Sequence, residues 1–335
     1  MKKIIISILV MCFVFAGTLN TAKAAEYETK TFSYIFSCFE DYYSEGSNII
    51  VLQTDDDCYD FKNKKPYNKI IMDTIAEDGT KSRKEFVCKN KKTYAFKLEN
   101  GTLYTTVSRG SNKIIIQARN KKGKVKQSYT ITLNKKTSRK IKYISIRDFV
   151  IKGNKMYYVL NVTNKKDKTY TYLKAYSLKK KKEISSKKLK NTNGRYKFND
   201  GKLYYYNFET TIEAYSLTGK KTASYKLPDG ETTIIGHVIG PGNGPEYEYS
   251  FKAVDYNGNY IYYLNRNGVY RCDTKGNGTF ELIYDGSNDV VFNPEPNQEK
   301  MVEFFEVFDN GKFLIVVDNY EHSGTRGFVY EKRNS

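Results

Sequence analysis

A glycine followed within a few residues by a Tyr-rich or aliphatic run recurs six times along this 335-residue chain. The copies are Gly46 before Asn48-Ile49-Ile50-Val51, Gly101 before Leu103-Tyr104, and Gly153 before Met156-Tyr157-Tyr158. They continue with Gly201 before Leu203-Tyr204-Tyr205-Tyr206, Gly258 before Ile261-Tyr262-Tyr263, and Gly311 before Phe313-Leu314-Ile315. Successive glycines stand 55, 52, 48, 57 and 53 residues apart. A period of this size belongs to propeller blades of four short strands rather than to helical solenoids. The spacing predicts an all-β chain, a six-bladed β-propeller with four-stranded antiparallel blades. The composition agrees, because strand formers dominate, with 31 Tyr and 19 Phe against no Trp.

Turn chemistry divides each repeat. The fourth reads as strands at 195–199, 202–208, 211–217 and 221–227, with Thr218-Gly219-Lys220 as the last turn. The fifth reads as 247–255, 259–265, 268–273 and 278–284, with a turn through Lys275-Gly276. In both, the second-turn glycine follows the first by 18 residues, Gly201 to Gly219 and Gly258 to Gly276. Hairpin turns call for positive φ, which glycine adopts without a Cβ penalty. The last repeat supplies only three strands, 301–308, 312–318 and 325–331. Residues 27–32 alternate polar and apolar and precede a first inner strand expected at 34–39. Pairing of 27–32 beside 325–331 is expected to complete the sixth blade, close the ring and remove two open sheet edges. Two stacked sandwiches are the alternative, and the even spacing argues against them.

Tyr262-Tyr263-Leu264-Asn265, followed by Gly268-Val269-Tyr270-Arg271-Cys272-Asp273 and Gly276, resembles a YWTD-type repeat of the low-density-lipoprotein-receptor propellers. Bacterial secreted domains of unknown function carry similar repeats. Leu203-Tyr204-Tyr205 with Ile212-Glu213-Ala214-Tyr215-Ser216-Leu217-Thr218-Gly219 fits the same frame. Tyr stands where that family prefers Trp, and the aspartate of its signature is mostly missing. The resemblance implies a six-bladed ring used for protein binding, and it transfers no individual binding residue.

The first residues read as a secretory signal peptide. Lys2 and Lys3 are followed by an apolar core over 4–16 and the small-x-small pattern Ala22-Lys23-Ala24. Cleavage is expected after Ala24, leaving residues 25–335 as one domain, secreted or associated with a Gram-positive-type bacterial wall. A lipoprotein reading on Cys12 is weaker, because Met11 occupies the position where a small residue belongs. No later stretch approaches the roughly 20 apolar residues of a spanning helix. Four cysteines follow the cleavage point: Cys38, Cys58, Cys88 and Cys272. Export permits oxidation, with Cys58–Cys88 as one conceivable clasp and buried free thiols as the equal alternative.

Charge is the second strong signal. Residues 89–226 hold 36 basic and 7 acidic side chains, a net of +29 within a chain of net +19. Many of the cations fall at expected turns: Arg119 with Lys121, Lys122 and Lys124; Lys179, Lys180, Lys181 and Lys182; Lys220 with Lys221. Lys135, Lys136, Arg139 and Lys140 connect blades. Lysine at exposed edges also serves solubility, which accounts for single residues better than for a field of this size. The expected partner is therefore anionic, a wall polymer, acidic polysaccharide or acidic protein, and nucleic acid is disfavoured by compartment. Lys121, Lys122, Lys179, Lys180, Lys181 and Lys182 are the expected contacts.

Catalytic signals are sparse. The two histidines, His237 and His322, lie in no nucleophile or metal motif, and no cofactor motif occurs. His237 opens Val238-Ile239-Gly240-Pro241-Gly242-Asn243-Gly244-Pro245, read as a linker between blades four and five or a flap over the pore bordered by Tyr247 and Tyr249. Asp55, Asp56, Asp57 and Asp60 read as an acidic hairpin tip, with calcium a minor alternative because the EF-hand glycine and glutamate are missing. A noncatalytic, monomeric binding or scaffold module is the expected function. The competing reading is a carbohydrate-active hydrolase or lyase at the pore, using carboxylates such as Asp148, Asp255 or Glu303, or His237. A third reading is a purely structural ring within a larger surface assembly.

Overall fold

The computed structural model describes residues 27–32, 41–45, 48–60, 62–76, 80–88, 93–99, 101–133, 140–190, 194–207, 210–228, 235–237, 248–250, 254–265, 267–287, 289, 300–308, 311–319 and 326–332. The signal segment, the inner strand expected at 34–39, Cys38, Lys135, Lys136, Arg139, Tyr247 and His322 lie outside them. The chain falls into two compact units. One spans Ser37–Lys226, and the other combines Met1–Phe36, which contains β1 (Tyr27–Phe32), with Leu227–Ser335.

The Ser37–Lys226 unit holds four antiparallel sheets of four consecutive strands each. The first contains β2 (Asp41–Glu45), β3 (Asn48–Asp60), β4 (Lys65–Ile75) and β5 (Lys81–Cys88). The second contains β6 (Thr93–Glu99), β7 (Thr102–Ser108), β8 (Lys113–Arg119) and β9 (Val125–Thr132). The third contains β10 (Ile141–Lys152), β11 (Lys155–Asn164), β12 (Thr169–Ser177) and β13 (Lys182–Lys188). The fourth contains β14 (Arg195–Asn199), β15 (Lys202–Tyr206), β16 (Thr211–Ser216) and β17 (Lys221–Lys226). The inner strand of the first sheet is thus β2, whose Glu45 pairs with Asn48 across a two-residue loop.

The other unit begins at its C-terminal part with β18 (Ile235–His237) and β19 (Glu248–Ser250), which pair only with each other. A fifth blade follows, made of β20 (Val254–Asn257), β21 (Tyr260–Asn265), β22 (Gly268–Asp273) and β23 (Phe280–Asp285). Finally β24 (Lys300–Val307), β25 (Phe313–Asn319) and β26 (Arg326–Lys332) form a sheet whose fourth member is β1. β1 runs antiparallel to β26, from Tyr27 opposite Lys332 to Phe32 opposite Gly327. The chain is therefore an all-β protein of β-propeller type with four-stranded antiparallel blades. Five blades use consecutive strands, one fewer than the glycine frame predicted, and the remaining sheet borrows its outer strand from the other end of the chain.

The repeat glycines do what the period suggested. Gly201 has φ +71 and follows Asp200 at φ +44, so both loop residues of the β14–β15 hairpin are left-handed. That is the type I′ turn, whose twist matches the flanking strands. Burial follows position in the blade. In β11 seven of ten residues are buried, because a middle strand is covered on both faces. In β13 all seven are exposed, because an outer strand has a neighbour strand on one side only.

The cores lie between successive blades. Ile114, Ile116, Tyr129 and Ile131 of the second blade pack with Ile146, Phe149, Tyr158 and Leu160 of the third. Val159 and Leu173, on the opposite face of the third, pack with Tyr196, Phe198, Leu203 and Tyr205 of the fourth. Each buried Leu or Ile contributes roughly 1.5–3 kcal/mol through its transfer out of water. Polar staples cross the seam between the first and second blades. Asn68 Nδ2 donates 2.8 Å to the Thr93 carbonyl, and Thr54 Oγ1 accepts from Ala95 N at 2.8 Å.

Candidate anion-binding surface

The lysines singled out from sequence sit on two hairpin turns of the Ser37–Lys226 unit, and each turn is held by its own backbone contacts. In the β8–β9 turn, Asn120 Oδ1 accepts from both Lys122 N and Lys124 N at 3.0 Å. Its carbonyl accepts from Gly123 N at 2.8 Å, and its own N–H donates to the Lys124 carbonyl at 3.0 Å. Gly123 takes φ +74, and a Cβ there would overlap the Phe86 ring, so the turn lies directly on the outer strand of the preceding blade. Lys121, Lys122 and Lys124 are exposed from this platform.

Arg119 takes a different role from its lysine neighbours. Its guanidinium donates to Thr105 Oγ1 at 3.0 Å, to the Gly123 carbonyl at 2.8 Å and to Gln117 Oε1 at 2.8 Å. It braces the turn from within the blade. Beside the turn is a cleft lined by Ile50, Met72, Phe86 and Leu103 with Lys84 and Lys121, and about 50 Å³ of it has room for water. That is small against the roughly 300–1,000 Å³ of a typical small-ligand pocket. Presented charge, rather than an enclosed pocket, is the chemistry available here.

The β12–β13 turn carries Lys179, Lys180 and Lys181 and leads into Lys182. Lys180 N donates to Ser177 Oγ at 3.1 Å, and Leu178 N donates to the Asn154 carbonyl at 2.9 Å. Lys181 adopts φ +49, although glycine holds the left-handed position in the comparable turns at Gly123 and Gly219. All four lysines are exposed, and among the described residues none of them forms an ion pair. Lys220 and Lys221 are also exposed, with Lys221 paired to Glu213.

A third lysine turn was missed in the sequence. Residues 164–168 read Asn-Lys-Lys-Asp-Lys, against Asn-Lys-Lys-Gly-Lys at 120–124. The hydrogen bonds repeat as well. Asn164 Oδ1 accepts from Lys166 N at 2.8 Å and Lys168 N at 3.0 Å. Asp167, at φ +57, donates its N–H to the Asn164 carbonyl at 3.0 Å. The five-residue string was the signal, hidden because one copy joins the third and fourth strands of its blade and the other joins the second and third.

The remaining sequence candidates separate. His237 pairs in register with Glu248, and Gly236 with Tyr249, so the segment read as linker or flap begins and ends in a short two-stranded ladder. Asp60 caps its own turn, accepting from Lys62 N at 3.0 Å, Asn63 N at 3.1 Å and Asn63 Nδ2 at 2.7 Å. The Asn63 side chain and backbone hold that carboxyl below its usual range. No group of three or more potential metal ligands occurs among the described residues. Cys58 and Cys88 are free thiols. Cys58 pairs across the ladder with Tyr67 and Cys88 with the adjacent Asn68, so the two side chains leave opposite faces of the sheet. That rules out the Cys58–Cys88 clasp.

Of the carboxylates proposed for hydrolysis, Asp148 and Asp255 are buried and accept backbone N–H groups. Asp148 is 5% exposed. Its Oδ1 accepts from Phe149 N at 2.8 Å and Lys97 Nζ at 3.1 Å, and its Oδ2 accepts from Phe198 N at 2.6 Å. Asp255 is 1% exposed, with Oδ2 accepting from Val307 N at 2.8 Å. Each aspartate ties its inner strand to the inner strand of the next blade. Glu303 lies at the bulge in β24 between Val302 and Phe304.

No family model matches the chain, and no curated protein matches it. Solved structures do superpose on it. The subtype N10 neuraminidase-like protein of A/little yellow-shouldered bat/Guatemala aligns at 8% identity and a TM-score of 0.46, covering 93% of this chain and 99% of that one. The β-propeller domain of the Trilobed protease from Pyrococcus furiosus aligns at 11% identity and TM-score 0.43, covering 91% and 84%. Pyrococcus horikoshii acylaminoacyl peptidase aligns at 9% identity and TM-score 0.43, covering 86% of this chain and 49% of that one. Likeness at this level assigns no chemistry and no partner to the present chain. No helix among the described residues is long and apolar enough to cross a membrane.

Proposed function

We propose that this chain is a secreted, noncatalytic binding propeller over residues 25–335 that captures an anionic extracellular partner. The observation that carries the reading is the braced presentation of lysine. Residues 121–122 and 179–182 project from turns whose own side chains and carbonyls fix the backbone, within a segment of net +29. A fixed array of cations loses little conformational freedom on binding and attracts a polyanion over a Debye length of about 8 Å at physiological salt. Burial of Asp148 and Asp255 in backbone hydrogen bonds removes the obvious acid pair from the hydrolase reading.

The test is binding of residues 25–335 to a panel of anionic and neutral polysaccharides and wall polymers, each at low and at high salt. Converting Lys121, Lys122, Lys179, Lys180, Lys181 and Lys182 together to Gln is expected to weaken binding of anionic polymers at least tenfold and to flatten the salt dependence. Unchanged affinity and salt slope in that variant would overturn the proposal. Salt-insensitive capture of one neutral sugar, with product release, would favour the hydrolase instead.

A further inference from the structure

The third blade carries a lysine cluster at each end of the same outer strand. At one end Lys182 pairs with Ser177, directly after the 179–181 turn. At the other end Lys188 pairs with Tyr172, and its ammonium lies 4.4 Å from the centroid of the Tyr170 ring. Lys168, from the 164–168 turn, lies 5.7 Å from the same ring. The Tyr170 ring thus joins the far turn to the strand end, and β13 connects the two clusters without a break.

The two acids along this line are each paired with a lysine. Glu183, the acid within β13, accepts from Lys174 Nζ at 2.7 Å. Asp167, the acid of the far turn, accepts from Lys142 Nζ at 2.6 Å. Between the clusters stand Ser185 and Ser186, both exposed hydroxyls able to donate to an anion. Along the track all seven residues of β13 are exposed, with lysines at both ends. Seven strand residues span roughly 20 Å.

We infer that the partner is a flexible linear polyanion lying lengthwise along β13, gripped at one end by lysines 179–182 and at the other by the 164–168 turn with Lys188. The inference rests on the anion-binding reading above and deepens it, because it specifies a chain long enough to bridge both clusters. A compact anion occupies one cluster and gains only local attraction. A chain that spans both makes its second contact intramolecularly, which raises affinity by orders of magnitude without any new kind of contact. The chemistry required is regularly spaced oxyanions, phosphate or carboxylate, since lysine ammonium groups act as point charges and demand no bidentate geometry.

The experiment uses residues 25–335 with four probes: tripolyphosphate, long-chain polyphosphate, digalacturonate and polygalacturonate. Two variants are compared with wild type, one changing lysines 179–182 to Gln and the other changing Lys165, Lys166, Lys168 and Lys188 to Gln. Thermal midpoints establish that each remains folded. At least one long polymer is expected to bind a hundredfold or more tighter than its short counterpart, and which one does so identifies the anion. Either variant is expected to lose tenfold or more for that polymer, to reduce its salt slope, and to shrink the long-to-short ratio. A long-to-short ratio near one for both anions would overturn the inference. So would an unaffected 165/166/168/188 variant beside a weakened 179–182 variant, a result that leaves the broader anion-binding proposal standing.

Discussion

At the scale of single residues, backbone conformation decides more than side-chain identity. Gly123 combines φ +74 with a Phe86 ring that any added Cβ would overlap. Gly123→Ala is expected to cost about 2–4 kcal/mol through strain and overpacking, read as a lower urea midpoint. Lys181 presents the opposite case, a lysine at φ +49 in an exposed turn. Lys181→Gly is expected to change stability by under ~1 kcal/mol, with relief of left-handed strain set against the added freedom of the unfolded chain. A loss of several kcal/mol would show that the Lys181 side chain has a packing role. The pattern of glycines was legible from sequence. That Lys181 and Asp167 would occupy left-handed positions was not, because loop length, set by the pairing of flanking strands, determines which residue takes that conformation.

At the scale of elements, the inner strands are stitched by buried carboxylates. Asp148 receives Lys97 from the preceding blade and the Phe198 N–H from the following one. Asp148→Ala strands a partly buried ammonium and an unpaired backbone N–H, at an expected cost of about 3–5 kcal/mol. Asp148→Asn should cost less, since the amide oxygen still accepts one of these bonds. Equal urea midpoints for wild type and Asp148→Ala would refute this stitching role. Sequence patterning located most strands to within a few residues, because alternation in β7 and β8 and near-continuous burial in β11 follow directly from their positions in a blade. It placed the fifth blade's inner strand too early. Residues 248–250 pair instead with 235–237, and the blade begins at Val254. Short β-rich segments read alike from sequence whichever partner they find.

At the scale of the whole molecule, tyrosine takes the place of a larger aliphatic core, and this makes stability sensitive to alkali. Burial, with Tyr270 nearby, pushes the Tyr263 phenol up to about 12. Burial, with Asp273 nearby, pushes the Cys272 thiol from 9.0 to about 11. Tyr158, Tyr196 and Tyr215 are raised as well, burial again being the main cause. The folded state therefore holds these protons more tightly than the unfolded chain does. Their contribution is complete below pH 9 or so and is lost as pH rises through the thiol and phenol windows toward 12. Urea midpoints are expected to fall between pH 8 and pH 10.5. A flat midpoint over that range would contradict it.

The amino-acid sequence by itself determined the all-β character, the blade period and the location of the basic segment, because each depends on local residue type at a fixed spacing. Tertiary structure decided which charges are spent and which are presented. Arg119, Asp148, Glu183 and Asp167 are charged in the sequence, and all four are committed to contacts within the Ser37–Lys226 unit. Lysines 179–182 and 187–188 stay exposed on one edge strand and the turn that leads into it. Strand pairing also placed the Tyr170 ring beneath both Lys168 and Lys188, two lysines 20 residues apart in the chain. Hydrogen-bond register sets such distances, and register depends on partners far away along the chain.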